Sequence, residues 1–215
     1  MRLGNLLSLH PSVSCALRSA GVRAAVVAAL MLTLGACTKD REHTIRISVA
    51  QQKMAVYNRG VEVKRFDVST SKFGVGDEPG SYATPLGHME IASKIGDGIP
   101  SGMKFKNRRP TGEIVPANAP GRDPIVTRIL WLRGLEPQNR RAYDRDIYIH
   151  GTAEEWRIGT PASYGCIRMR SKDVLALYDM VGKGAGVTIT REALPEPPPP
   201  SQQTPSDAPQ RSGAL

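Results

Sequence analysis

Aromatic side chains are scarce, with three Phe, six Tyr and two Trp making up 5% of the 215 residues. The 17 prolines are many, but they crowd the C-terminal end, so neither bias excludes a globular middle. Cysteine is scarcer still. Only Cys15, Cys37 and Cys166 occur. With the first in a removable leader and the second modified, Cys166 is left without a partner for an intramolecular disulfide, and a lone retained thiol suggests reactivity. A buried, inert cysteine is the bland alternative. No Cys-x-x-Cys or His-x-x-x-His spacing is present, which argues against a zinc site with its three or four convergent ligands. Long apolar runs are missing too: the stretch from Ala24 to Leu34 falls short of the roughly 20 residues that a membrane-spanning helix needs. The length suits one domain with tails.

What is present begins with a leader. Residues 1–36 contain no acid, carry basic residues as far as Arg23, and end in Gly35-Ala36 directly before Cys37, the layout of a signal peptide. Leu34-Gly35-Ala36-Cys37 resembles the bacterial lipobox, in which the cysteine is diacylated and becomes the mature N-terminus. Ordinary cleavage near Ala36 is the alternative. Losing Arg2, Arg18 and Arg23 would lower the formal charge from +9 to +6, with 26 basic side chains against 20 acidic ones. Such a surface suits an acidic partner, whether carboxylate-rich polymer, anionic lipid or nucleic acid, or is simply solvated.

From Thr44 the apolar residues fall into period two. Ile45, Ile47 and Val49, then Met54 and Val56, predict two strands. Asn58-Arg59-Gly60 predicts a turn, and Val61 to Ser69 a third strand with a phase slip at Arg65-Phe66 that suits a bulge. Ser71 to Ser81 reads as loop and Thr84-Pro85-Leu86-Gly87 as a turn before a strand around Met89 to Ala92. His88 opens that strand as a second candidate site histidine or a solvated one. Gly96 to Pro124 is a long polar insertion holding Met103, Phe105, Arg108 and Arg109; preceding the strong strand Ile125 to Leu132, it predicts a partly ordered lid whose basic residues could receive carboxylates. Ser171 is a plausible N-cap of a helix whose face is Val174, Leu175, Leu177, Tyr178 and Val181, ended by Gly182. Val187 to Thr190 gives a last strand. The tail over 192–215, with four consecutive prolines from Pro197, predicts disorder, so truncation after Ala193 should leave folding and turnover unchanged.

The chemistry gathers between His150 and Arg168. Ile147-Tyr148-Ile149 is a short β-type run that places His150 at a strand end, and Cys166 follows sixteen positions later in Ser163-Tyr164-Gly165-Cys166-Ile167-Arg168. Thiolate is the attacking form of cysteine, so Cys166 needs a base, and His150 is the nearest imidazole. Gly165 permits a tight turn in which amides from Tyr164 to Cys166 point at a developing oxyanion. Arg168 could favour thiolate, bind a substrate carboxylate, or pin the loop to backbone carbonyls. Papain-like enzymes place cysteine before histidine, and sortases place their histidine and arginine differently, so neither pattern fits.

The order and spacing resemble the L,D-transpeptidase catalytic domain family, with its His-Gly-x, a gap, and Ser-x-Gly-Cys-x-Arg. The agreement covers about residues 44–191 and includes Thr84-Pro85-Leu86-Gly87; Tyr164 stands where many members have a histidine. The resemblance implies a mostly β fold, an antiparallel β-sandwich-like catalytic domain with one packed helix and a long lid loop, over residues 44–191. Residues 1–36 are then the lipoprotein signal peptide, 37–43 a short linker and 192–215 the tail. It implies catalysis by Cys166 and His150, with Gly151, Tyr164 and Gly165 orienting or forming the oxyanion site, and Ser163 and Arg168 binding substrate or anchoring the loop. It implies no cofactor and no metal. The partners it implies are peptidoglycan stem peptides, a protein to be anchored, and a membrane through lipid on Cys37, without nucleic acid. The acceptor of the acyl group stays open between a stem amine, a protein amine, a D-amino acid and water, and a catalytically silent peptidoglycan-binding lipoprotein is the rival from another class.

Overall fold

The computed structural model describes residues 39–121 and 123–196. The expected signal peptide, the acylation site Cys37 and the tail beyond residue 196 lie outside the described residues.

The period-two stretch folds as β1 (His43–Ser48), β2 (Lys53–Asn58) and β3 (Val61–Asp67), an antiparallel meander. Ile45 and Ile47 are fully buried while Arg46 points to solvent. Arg59 and Gly60 both take positive φ (48° and 84°), as a two-residue turn matched to strand twist requires. The bulge in β3 lies earlier than expected. Val56 pairs with Lys64 and Tyr57 with Glu62, so the unpaired residue is Val63. Val61 and Val63 are exposed, while beyond the bulge Phe66, paired with buried Met54, reaches the core.

Thr84-Pro85-Leu86-Gly87 is extended instead of turned. Thr84 bridges to Val75, and Gly87, at φ +100°, opens β4 (Gly87–Ile95) where the side chains of Glu136 and Asn139 occupy the space of a Cβ. The insertion contains a hairpin, β5 (Met103–Lys106) and β6 (Arg109–Ile114). Its β6 strand is exposed throughout, yet Phe105 is buried against Ile129 and Tyr148 in a small second core that Cys166 also joins.

The long strand β7 (Ile125–Gly134) is flanked on one edge by β4 and, further along, β5, and on the other by β8 (Tyr148–Thr152). β8 pairs in parallel with β9 (Ile167–Met169), and β10 (Gly186–Thr190) pairs in parallel with β1 and antiparallel with β4. Among the described residues the protein is mostly β with one α-helix, as expected, but its sheet is mixed where an antiparallel sandwich was anticipated. Parallel neighbours need a connection of a dozen or more residues; the segment from Ala153 to Cys166 provides it between β8 and β9, most of the chain lies between β1 and β10, and the helix α1 (Ser171–Met180) links β9 to β10.

In α1, Val174, Leu177 and Tyr178 are buried and Leu175 is half-buried. Arg170, not Ser171, is the N-cap. Ser171 instead donates its N–H to Glu155 Oε1 (2.7 Å) and shares its hydroxyl with Thr127 Oγ1 (2.8 Å). At the other end Lys94 Nζ donates to the carbonyls of Tyr178 (2.6 Å) and Val181 (2.7 Å), placing a cation where the helix dipole is negative. The root of the tail is docked. Leu194 is buried, its N–H donates to Gln51 Oε1 (2.8 Å), and Arg65 donates to Pro195 O (2.6 Å). A cut after Ala193 would therefore remove packed residues, which the polar composition of the tail conceals.

Candidate active site

The β8–β9 ladder positions the two reactive groups. Register pairs Ile149 with Ile167 and His150 with Arg168, so Ile149 and Ile167 share the core-facing side while His150, Arg168 and, one step outside the strand, Cys166 share the other. Strand spacing and rise separate the Cα atoms of His150 and Cys166 by about 8 Å, a span their side chains can bridge.

His150 is buried, and its Nδ1 lies 2.8 Å from Gly151 O. A carbonyl only accepts, so Nδ1 carries the proton and Nε2 keeps its lone pair for base work. Gly151 has no room for a side chain: a Cβ there would stand 2.6 Å from Val126 O and 3.1 Å from Thr127 Cβ. That crowding comes from β7, in which Thr127 and Arg128 bulge out between the pairs Val126–Gly151 and Ile129–His150. Thr127 takes φ +72°, rare for a β-branched residue, and its Oγ1 also accepts from Gly102 N (3.0 Å) at the foot of the lid.

The Cys166 thiol is half-buried, donates to Asp146 O (3.3 Å) and accepts from Tyr148 N (3.4 Å). Burial pushes the thiol up to about 11, with the Tyr148 N–H and the Arg168 charge pulling the other way. Burial likewise holds His150 below its ordinary value, against the Gly151 bond and the Asp123 charge, which raise it. The resting pair is therefore a neutral thiol beside a neutral imidazole, and proton transfer has to accompany attack.

Ser163 anchors the loop. It is fully buried, its Oγ donates to Cys166 O (2.5 Å) and accepts from Gly165 N (3.2 Å), and its backbone pairs with Thr70 and Lys72. That bond engages Gly165 N–H, which removes it from the expected oxyanion donors and leaves the amides of Tyr164 and Cys166. Gly165 itself sits at φ +117° with Ala83 O and Ile147 Cδ1 3.2 Å from where a Cβ would be. Tyr164 is exposed, its ring against Phe73 and Tyr82. Arg168 pins the segment to carboxylates and not to backbone carbonyls: its Nε lies 3.0 Å from Asp123 Oδ2 and its Nη1 donates to Glu154 Oε2 (3.1 Å). The Asp123 contact is an ion pair without hydrogen-bond alignment. Asp123 Oδ1 in turn accepts from Thr152 Oγ1 (2.6 Å) and Ala153 N (2.9 Å). His88 stands apart, bonded through Nδ1 to Thr188 Oγ1 (3.0 Å) in the β4–β10 pairing.

Two residues that the sequence marked for other reasons also touch the site. Thr84 donates to Gly165 O (3.0 Å), tying the segment before β4 to the cysteine loop. Arg108, at the lid tip, donates to Asp146 Oδ1 (2.9 Å) and Tyr148 OH (3.0 Å) and stacks over Trp131 at 4.5 Å, so the lid closes on the residues flanking the thiol. No group of three or more His, Cys, Asp or Glu able to hold a metal ion occurs among the described residues.

Residues 42–189 match the YkuD family model, described as the L,D-transpeptidase catalytic domain. The chain belongs to this L,D-transpeptidase family. Curated relatives agree at low identity. The "Probable L,D-transpeptidase ErfK/SrfK" of Salmonella typhimurium is 27% identical over 192 residues, covering 87% of this chain and 55% of the relative. The "Probable L,D-transpeptidase YbiS" of Escherichia coli K12 is 25% identical over 201 residues, covering 90% and 58%. The chain spans little more than half the length of these relatives. Among solved structures, an L,D-transpeptidase from Xylanimonas cellulosilytica superposes with a TM-score of 0.46 at 16% identity, over 71% of this chain and 62% of that one.

Proposed function

We propose that the protein is a cysteine-dependent L,D-transpeptidase acting on peptidoglycan tetrapeptide stems. Cys166 Sγ attacks the carbonyl at the L-centre of the stem's diamino acid while His150 Nε2 takes the thiol proton. The tetrahedral centre collapses, the C–N bond to the terminal D-alanine breaks, and His150 returns the proton to the leaving amine. The thioester is then attacked by an amine from a neighbouring stem or from a protein to be anchored; that C–N bond forms, sulfur leaves, and the imidazole relays the proton back. The observation that carries this reading is the shared face of β8 and β9, which presents a thiol beside an imidazole whose tautomer Gly151 O fixes.

The same reading makes the protein a lipoprotein of the bacterial envelope, on the periplasmic side and sorted to the outer membrane, since Thr38 rather than an aspartate follows Cys37. Two acyl chains on Cys37 would hold it there stably. No helix among the described residues is long and apolar enough to cross a membrane. Intact-protein mass spectrometry tests both parts. A tetrapeptide donor should leave an adduct equal to the donor minus alanine on wild-type protein, a carbapenem should acylate the same thiol, and Cys166→Ala should show neither. Wild-type protein unmodified after prolonged exposure to both reagents would decide for a silent wall-binding module. A mature N-terminus other than acylated Cys37 would end the anchoring proposal.

A further inference from the structure

Phe73, Tyr82 and Tyr164 are each half or more exposed, yet their rings meet one another, with centroids 5.8, 5.4 and 5.7 Å apart. In a chain so poor in aromatics, three rings gathered on one surface beside the cysteine loop contribute little to a core. Lys72 completes the group. Its Nζ lies 4.5 Å from the Tyr164 ring centroid and 5.2 Å from that of Phe73, and it donates to Tyr164 OH (3.2 Å). Among the described residues the ammonium's partners are this hydroxyl and two ring faces, not a carboxylate.

The arrangement is built, not incidental. Tyr82 takes φ +54°, a conformation that a bulky residue enters only at a cost, and it does so without burying its ring. Its carbonyl accepts from Ser71 Oγ, which in turn accepts from Phe73 N. Arg145, paired with buried Asp77, donates to Ala83 O (2.7 Å) next door, and Lys72 N donates to Ser163 O at the far side. The rings are thus fixed to the same loop that holds Cys166, two residues beyond Tyr164.

We propose that Phe73, Tyr82, Tyr164 and Lys72 form a saccharide platform that seats the glycan carrying the donor stem. The inference rests on the stem-acting reading above. Two residues separate the sugar's lactyl group from the diamino acid whose carbonyl reacts, a span of roughly 10 Å for extended chain. A Tyr164 ring two residues from Cys166 lies within that reach. Ring faces suit the C–H faces of a pyranose, while phenolic hydroxyls and the remaining N–H donors of the Lys72 ammonium suit its hydroxyl and acetamido oxygens.

The decisive comparison uses two donors, the free tetrapeptide and the same tetrapeptide on its disaccharide. Wild-type protein should be acylated about tenfold faster by the second at sub-saturating concentration. In Phe73→Ala and Tyr82→Gly the ratio should fall close to one. Tyr82→Gly also relieves the positive φ, so its Tm should hold or rise, whereas loss of a merely structural ring would lower it. In parallel, glycan strands stripped of stems by an amidase should shift the aromatic NMR signals of wild-type protein and not those of either variant. Failure of both donors to acylate would sink the proposed function, while the glycan titration would still decide the platform. No shift with stripped glycan, or a donor ratio unchanged in the variants, overturns it.

Discussion

The two faces of the β8–β9 pair are made by alternate residues of the same short strands and obey different physics. On the inner face Ile149 and Ile167 have no exposed surface and are held by the packing of a large aliphatic cluster. On the outer face His150, Cys166 and Arg168 are held by directed contacts: one carbonyl for the imidazole, two backbone groups for the thiol, two carboxylates for the guanidinium. The inner face fixes register, because a one-residue slip would bring the polar set into the core. The outer face then inherits its geometry. Desolvation, which stabilises the inner face, becomes a chemical device on the outer one by keeping both reactive groups neutral until substrate arrives.

The largest effect expected from breaking this division is on the outer face. His150→Ala should slow acylation by a tetrapeptide donor by roughly 10²–10⁴-fold, the usual range for a positioned base, with the circular dichroism spectrum unchanged. A rate within a few-fold of wild type would mean that another group takes the proton. Next in size is a paired test of stability. Ile149→Ala deletes packed volume and should cost about 2–5 kcal/mol. Arg168→Met strands Asp123 in a buried setting and should cost about 3–5 kcal/mol, the range for breaking a buried pair. The two differ in rescue: adding Asp123→Asn should restore much of the Arg168→Met loss in urea denaturation and none of the Ile149→Ala loss. Equal rescue would mean that Arg168 acts by packing alone.

The pH profile sharpens the contrast more gently. His150 sits below its ordinary value because burial disfavours the imidazolium, and Cys166 is lifted to about 11. The neutral pair thus persists across the intervening range, so acylation should stay level from about pH 6.5 upward and decline only as pH falls through the lowered imidazole value. An acid limb centred at or above 6.5 would contradict a desolvated base. Stability follows the same sign. A histidine buried neutral binds fewer protons folded than unfolded below about pH 6.5, so Tm should fall as pH drops from there, and His150→Ala should remove that slope.

Much of the inner face was legible in sequence, and the outer face was legible in part. Alternation at Ile45 and Ile47 and the apolar face of α1 mark local structure because each residue's burial depends on its own strand or helix. His150 and Cys166 stood out by type and spacing. The parallel pairings β1–β10 and β8–β9 did not, since the partners lie far apart along the chain and nothing local distinguishes a parallel strand of three to six residues. The bulge at Thr127–Arg128, with its positive φ, was hidden inside an uninterrupted β-type run. Arg168 stood out as a candidate anchor to backbone carbonyls, whereas its partners are the carboxylates of Asp123 and Glu154, from a loop and a turn whose proximity only the fold creates. Ser171 has the chemistry of a cap, yet tertiary bonds to Thr127 and Glu155 claim it first.

The smallest expected effect belongs to the root of the tail, which carries apolar anchoring away from the reacting groups. Leu194 is buried, and its neighbourhood adds a bond to Gln51 and one from Arg65 to Pro195. Truncation after Ala193 removes all three contacts. Burying a leucine is worth about 1.5–3 kcal/mol, so this cut should lower the unfolding free energy by about that amount while leaving the acylation rate constant of the folded fraction unchanged. Truncation after Glu196 keeps all three and should change neither quantity. The pair separates anchoring from chemistry within a span of three residues: equal stabilities for the two truncated chains would show that Leu194 does not hold the tail, and a slower acylation in the shorter one would show that the site depends on packing beyond the β8–β9 pair.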